Sequence, residues 1–229
     1  MSGSQDVSYQ FSDRLPINPI EPGSTVMVAG PKFSPAEDLA LSMVADAATH
    51  EEGMLFLSTN MTVERLLSAC QQSQPGLEPS HVGVVDCTGQ DIGDADSEAE
   101  VMYVSTQSDL TGMGMKFSSL YESLYQNHPD GRVRIGLVSL SSLVMYADLR
   151  DVFRFAQTIS ARIESAGGLG VFTIDPSMHD TQIVNTLKQV ADGLVQVRDA
   201  DADTSKTADG ELQIKGFRNQ SPDWQPFSL

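Results

Sequence analysis

The chain has 229 residues, 40% of them hydrophobic, with a formal net charge of −17 and a pI near 4.3. Length and apolar content suit one α/β domain, or a core with a small appendage. The charge disfavours DNA and anionic membranes as partners unless a local basic patch intervenes, although molar salt screens that repulsion to within a few ångströms.

The acidic residues are spread evenly, 16 before position 101 and 15 after it, with Asp exceeding Glu and Arg exceeding Lys. Such a distribution reads as a hydrated acidic surface suited to a salt-rich cytoplasm, not as an acidic tail. Cys70 and Cys87 are too few for a disulfide framework or a structural zinc site and fit a reduced compartment. The polar start lacks the apolar region of a secretory signal, and no apolar run reaches bilayer length. The expectation is a soluble cytoplasmic protein with no membrane partner.

Residues 1 to about 20 are polar with scattered Pro and read as a loosely packed lead-in to a single domain over 21–229. Strand Thr25–Ala29 is followed by an amphipathic helix from about Pro35 to Thr49. Strand Met54–Ser58 and a helix from Val63 to about Gln72 come next, then strand Val82–Asp86. An acidic stretch, Asp91 to Glu100, precedes strand Val101–Val104. A helix covers about Phe117 to Gln126, followed by strand Val133–Val138 and the longest helix, about Leu149 to Ala166. Strand Leu169–Ile174 and a helix from about Thr181 to Val190 lead into two closing strands, Gly193–Arg198 and Glu211–Phe217. Continuous Val/Ile/Leu strands separated by helices predict a mostly parallel sheet with helices on both faces. The closing pair predicts a C-terminal antiparallel β-hairpin.

The most informative stretch is Thr25-Val-Met-Val-Ala-Gly-Pro-Lys-Phe-Ser-Pro-Ala-Glu-Asp38, a strand, a short loop and a helix start. A phosphate-binding loop reads G-x-x-x-x-G-K-[ST], with Lys on the β/γ-phosphates and the hydroxyl on magnesium. Laid on Gly30, that pattern places Pro35, Ala36 and Glu37 at its last three positions, and none fits; Glu37 would repel a phosphate. Ser34-Pro-Ala-Glu37 instead reads as a capping box, with Ser34 at the N-cap, Pro35 first in the helix and Glu37 reaching back. A helix that caps itself in this way has less need of an anion. Lys32, one turn earlier, is the alternative route to a phosphate.

Pro22–Gly30, Gly53–Thr59, Val84–Gly89, Ser108–Gly112, Val138–Tyr146 and Gly170–Asp180, in this order and spacing, resemble the KaiC-like branch of the RecA-type ATPases. The resemblance runs from about residue 20 to the end and is nearest to short haloarchaeal members that have lost their nucleotide motifs. It implies an α/β RecA-like fold. In that family a catalytic Glu follows the second strand and a magnesium-side Asp ends a later one, often as Asp-Ser-Leu-Ser. Here Ser58-Thr59-Asn60 carries no carboxylate, and the second position reads Val138-Ser139-Leu140-Ser141. Val138 cannot hold a metal through water, and phosphate charge without a metal stays unneutralised. With Lys, hydroxyl, Asp and Glu all missing, the resemblance implies the fold and argues against hydrolysis. Lys215-Gly-Phe-Arg218 falls where KaiC-like proteins carry basic residues toward a neighbour's nucleotide. Lys215 and Arg218 are thus candidates for a subunit contact, with an exposed hairpin edge as the plainer reading.

Other candidates are weaker. Thr111-Gly-Met-Gly-Met-Lys116 reads as a glycine loop entering a helix, either a second anion pocket or a tight turn with space-filling Met. Asp199-Ala-Asp-Ala-Asp203 opens like a calcium loop but lacks Gly at Thr204 and Glu at Gly210, so a solvated acidic loop is expected. The cluster Asp91, Asp94, Asp96, Glu98 and Glu100 reads the same way, as an excursion able to meet a basic partner. His179 sits at a strand's C-terminal rim, where ligands bind in open sheets, yet no motif ties a nucleophile to it. Asp180 reads equally as an N-cap. Trp224 and Phe227 are expected to pack back onto the domain, and exposed they would be hot-spot residues of a contact. The long helix concentrates Arg150, Arg154 and Arg162, which either offset local repulsion or mark a protein contact.

The expectation is therefore a non-catalytic RecA/KaiC-like domain acting as a regulator, adaptor or assembly subunit through a protein partner or self-association, without cofactor. The alternative is an ATP-binding protein or weak ATPase using displaced residues such as Lys32. A nucleic-acid-binding role is disfavoured by the acidic surface.

Overall fold

A computed structural model of the chain describes residues 8–89, 98–128, 130–201 and 208–229. One nine-stranded sheet organises it: β1 (Thr25–Ala29), β2 (Gly53–Ser58), β3 (Val82–Asp86), β4 (Glu100–Tyr103), β5 (Val133–Val138), β6 (Leu169–Ile174), β7 (Gly193–Asp199), β8 (Gly210–Lys215) and β9 (Gln225–Phe227). The spatial order is β4-β3-β2-β5-β6-β1-β7-β8-β9. The first seven strands pair in parallel, and β7-β8 and β8-β9 pair antiparallel. β1, β2, β3, β5 and β6 are buried along their whole length, as their unbroken apolar runs require of strands covered on both faces.

Two apolar layers cover the sheet. Helices α1 (Ala36–Ala45) and α2 (Val63–Ser73) build one, with Leu39, Met43 and Leu66 over Val28 and Phe56. On the other, α3 (Leu110–Asn127), α4 (Leu140–Tyr146), α5 (Leu149–Ala166) and α6 (Thr181–Lys188) lay Phe117, Leu143, Ile159 and Leu187 over Leu55, Ile135 and Phe172. α5 buries Val152, Phe155, Ala156, Ile159 and Ile163 at helical spacing. It stops at Gly167, whose φ of 68° admits the left-handed cap, with Gly168 N bonding back to Ile163 O.

Several expectations need correction. The first helix ends at Ala45 and tightens into a 3-10 turn over Asp46–His50. Thr111–Lys116 is no loop: it forms the first turns of α3, capped by Asp109, which accepts from Gly112 N at 2.8 Å. Helix α4 and strand β9 were not anticipated, and the last predicted strand ends at Lys215 instead of Phe217. Nor is the lead-in loose from residue 8 onward. Tyr9, Leu15, Ile17 and Ile20 are buried in the α1 side of the core. Tyr9 bridges Ile20, and its hydroxyl donates to Gly167 O at 3.0 Å. Arg134 of β5, fully buried, holds this segment through Gln10 O at 2.7 Å and anchors it to α1 through Met43 O at 2.8 Å.

Candidate functional site

The residues singled out in the loop after β1 lie at the C-terminal edge of the sheet, where open α/β sheets take ligands. Gly30 N bonds to Ile174 O of β6. The chain then turns back at Phe33, which holds a left-handed φ of 73° and is 94% exposed. That reversal brings Ser34 Oγ within 2.7 Å of Pro31 O, to which it donates. The loop consequently folds down on Gly30: a Cβ there would stand 2.6 Å from both Ser34 Oγ and the Ala36 Cβ.

This geometry overturns the capping box. Pro35, not Ser34, occupies the cap position of α1, and no side chain caps it. Ser34 spends its hydroxyl on the loop itself. Glu37, instead of closing a capping box, accepts from Asn60 Nδ2 at 3.0 Å. The first-turn N–H groups are therefore without a side-chain cap, and the helix end is served instead by the acidic Glu37 and Asp38 in that turn. Both carboxylates oppose an incoming phosphate. Lys32 is exposed, with Nζ 5.5 Å from the Phe33 ring centre. Ala36 is buried, and Pro35 packs toward β8, where a Cβ on Gly210 would come within 2.5 Å of its Cγ.

The ends of β2 and β5 carry the positions of the expected carboxylates, and one residue fastens them together. Thr59 Oγ1 donates toward Val138 O at 2.8 Å and Ser139 O at 2.9 Å, and accepts from Ser139 N at 2.9 Å. Thr59 N also donates to Val138 O, and Gln107 Nε2 covers Thr59 O at 2.6 Å. Val138 is 1% exposed, and its side chain belongs to the apolar layer under α1. Thr59 and Gln107 had escaped sequence reasoning. The one signal for Thr59 was a hydroxyl residue directly after a buried strand.

Elsewhere the structure separates the candidates. Lys215 closes β8 and donates to Gln196 Oε1 at 2.6 Å, whereas Arg218 lies exposed in the following turn. Asp180 caps α6 by accepting from Ile183 N at 2.9 Å. The Nε2 atom of His179 is buried without a hydrogen-bond partner among the described residues. Trp224 and Phe227 pack back as expected, Phe227 buried and Trp224 under the Arg198 guanidinium. Asp91, Asp94 and Asp96, and Asp203 with Thr204, lie outside the described residues. Glu98 is exposed, and Glu100 opens β4 and accepts from Ser123 Oγ. Among the described residues no group of three His, Cys, Asp or Glu side chains could hold a metal ion, and no helix is long and apolar enough to cross a membrane.

Burial pushes the thiol of Cys70 up to about 12, and that of Cys87 up as well, with Asp86 and Asp109 adding to it. Both cysteines are therefore neutral apolar side chains at ordinary pH, not nucleophiles.

Comparison with solved structures places this architecture among RecA-like domains. A KaiC-like protein of Pyrococcus horikoshii superposes with a TM-score of 0.61 at 12% identity, over 90% of this chain and 86% of that one. An uncharacterized protein of the same organism, solved in complex with an unknown peptide, gives 0.63 at 13% identity, over 89% and 86%. The flagellar accessory protein FlaH of Methanocaldococcus jannaschii gives 0.60 at 11% identity, over 95% and 91%. The fold is RecA-like. No functionally curated protein matches the sequence. A family model matches residues 23–197, and the chain belongs to that family of unknown function, DUF7504.

Proposed function

We propose that this member of DUF7504 is a non-catalytic RecA/KaiC-like domain that works through protein contacts, as a regulator, adaptor or assembly subunit. The observation that carries this reading is the Thr59 hydroxyl bridging Val138 and Ser139. It spans the two strand ends from which a RecA-like enzyme would present its catalytic Glu and its magnesium-side Asp. Hydrolysis needs charge stabilisation and a positioned water at that point, and here a neutral hydroxyl is committed to the backbone. The self-filled Gly30 loop and the Glu37–Asn60 pair support the same reading from the phosphate side. So does the peptide bound to one protein of the same fold. The partner is another protein or a second copy, no cofactor is required, and the acidic surface suits work in a salt-rich cytoplasm.

One observation favours a second reading. The first N–H groups of α1 have no side-chain cap, and Lys32 is exposed beside them, so ATP held by displaced residues is the competing possibility. Calorimetric titration of ATP into the purified chain at molar KCl, with and without magnesium, separates the two. No binding up to millimolar ATP is expected. Micromolar binding that is lost in Lys32→Ala overturns the contact-only reading.

A further inference from the structure

Four of the chain's 14 basic residues, Lys116, Arg150, Arg154 and Arg162, lie on α3 and α5, in a sequence with 31 acidic ones. Where the two helices pass each other they leave an open groove of about 760 Å³. Its origin is local. Gly114 and Ser118 stand one turn apart on the α3 wall, so no ridge of that helix fills the seam toward α5. A Cβ on Gly114 would meet only Phe155 Cε2, at 3.9 Å. Glycine within a helix is a poor helix former, and at this position its lasting effect is an open floor.

The floor is apolar: Phe155 and Ile159 are buried, and Met115 stands 70% exposed on a rim that is otherwise largely polar or charged. The charges are graded along the groove. Its two carboxylates, Asp109 and Asp151, sit at the N-terminal ends of α3 and α5, where the helix dipole offsets them, and Asp109 already accepts from Gly112 N. Arg154 keeps a 66% exposed side chain with Asp151 only at 3.9 Å. Arg162 donates one N–H to the Ser118 hydroxyl. It lies eight residues further along α5, about 12 Å on at the helical rise.

Resting on the protein-contact reading above, we propose that this groove is the docking site for a peptide segment of a partner protein. The segment seats one apolar side chain on Phe155, Ile159 and Met115, and places carboxylates on Arg154 and Arg162. Met at such a surface adapts to the apolar residue offered. The arginines supply charge-assisted, geometrically specific contacts to carboxylate. The surrounding acidic surface disfavours a long polyanion in their place.

The test is fluorescence anisotropy on the whole chain with two fluorescein-labelled synthetic helical peptides, one with leucines flanked by glutamates, the other with lysines in place of the glutamates. The glutamate peptide should bind at least about tenfold more tightly, and the preference should reverse in Arg154→Glu/Arg162→Glu. Gly114→Leu should abolish binding by filling the floor while raising the melting temperature, because leucine is the better helix former. If that variant fails to fold, Thr158→Trp fills the groove from the exposed face of α5. Equal binding of both peptides, or binding untouched by the filling variants, overturns the proposal. So does self-association in sedimentation that Arg154→Glu/Arg162→Glu abolishes, which would make a second copy the occupant. The ATP titration reports on the broader reading separately: if neither peptide nor ATP binds, only the groove assignment falls.

Discussion

The Arg134 guanidinium, wholly buried on β5, donates from Nε to Glu52 Oε2 at 2.6 Å at the edge of the sheet opposite the nucleotide-type rim. Arg132 reaches the other oxygen of Glu52 at 2.9 Å. Nη1 and Nη2 of Arg134 donate to Met43 O and Gln10 O, and both arginines lie over the ring of Tyr9. Burying this pair is tolerable because each nitrogen of Arg134 has an acceptor, and deleting one partner leaves a charge uncompensated. Glu52→Ala should therefore cost about 3–5 kcal/mol in urea unfolding. A paired Glu52→Leu/Arg134→Leu replacement should cost less than Glu52→Ala alone, because the charge it leaves without a carboxylate is that of the partly exposed Arg132 and not that of the buried Arg134. Additive losses would show that the pair acts as two independent packing residues.

The same arginine marks the limit of what the sequence discloses. All seven parallel strands were legible, because runs such as Val82–Asp86 and Leu169–Ile174 are apolar on both faces and need no partner to be recognised. The lead-in was misread because its anchors, Tyr9, Leu15, Ile17 and Ile20, follow no period. Their seat depends on an arginine more than a hundred residues away. Arg134 inside an apolar strand was the available sign. The start of α3 was hidden by Gly112 and Gly114, which depress helix propensity, whereas the Asp109 cap overrides them. At the candidate site the residue types at positions 35–37, 60 and 138 could be read directly. Their contacts could not, since Asn60–Glu37 and Thr59–Ser139 are contacts across 23 and 80 residues.

Stability should fall as pH rises above about 9, the range in which Cys70 and then Tyr9 ionise in the unfolded chain. The Tyr9 hydroxyl is raised from 10.0 to about 12 by burial, and next by the Glu52 charge, and the Cys70 thiol is raised from 9.0 to about 12 by burial. In both cases the folded state favours the neutral form. Their contribution is therefore complete below the unfolded values and is lost as pH rises toward the folded ones. Urea midpoints between pH 8 and 12 check this (a range set by those two shifts). Tyr9→Phe should lower the plateau by about 1 kcal/mol, through the lost bond to Gly167 O, and make the alkaline decline shallower. An unchanged slope would remove Tyr9 from the account.

Placing a lysine at position 36 should not create a nucleotide site. In the proposed alignment of a phosphate loop on Gly30, Ala36 takes the lysine position; it is buried, and its Cβ would stand 2.6 Å from a Cβ built on Gly30. Ala36→Lys must bury an ammonium or force the Ser34 loop open. The expected outcome is a loss of about 2 kcal/mol or more in thermal or urea unfolding, with no ATP binding by calorimetry. Stable protein with micromolar ATP affinity would mean that the loop opens cheaply.

Arg198 ties the end of the chain to the sheet in two separable ways. Its Nε and Nη2 donate to Glu211 Oε2 at 2.8 and 2.7 Å, and its guanidinium lies 4.3 Å from the Trp224 ring centre. The ion pair fixes the guanidinium, and the guanidinium shields the only tryptophan. Arg198→Ala should expose Trp224 to acrylamide quenching. It should also cost about 1–3 kcal/mol, mainly because Glu211, only 8% exposed, loses its partner. Arg198→Ala/Glu211→Gln should recover part of that stability, since a neutral amide is cheaper to leave there, but none of the shielding. If quenching recovers together with stability, the lid over Trp224 depends on the local fold and not on the Arg198 side chain.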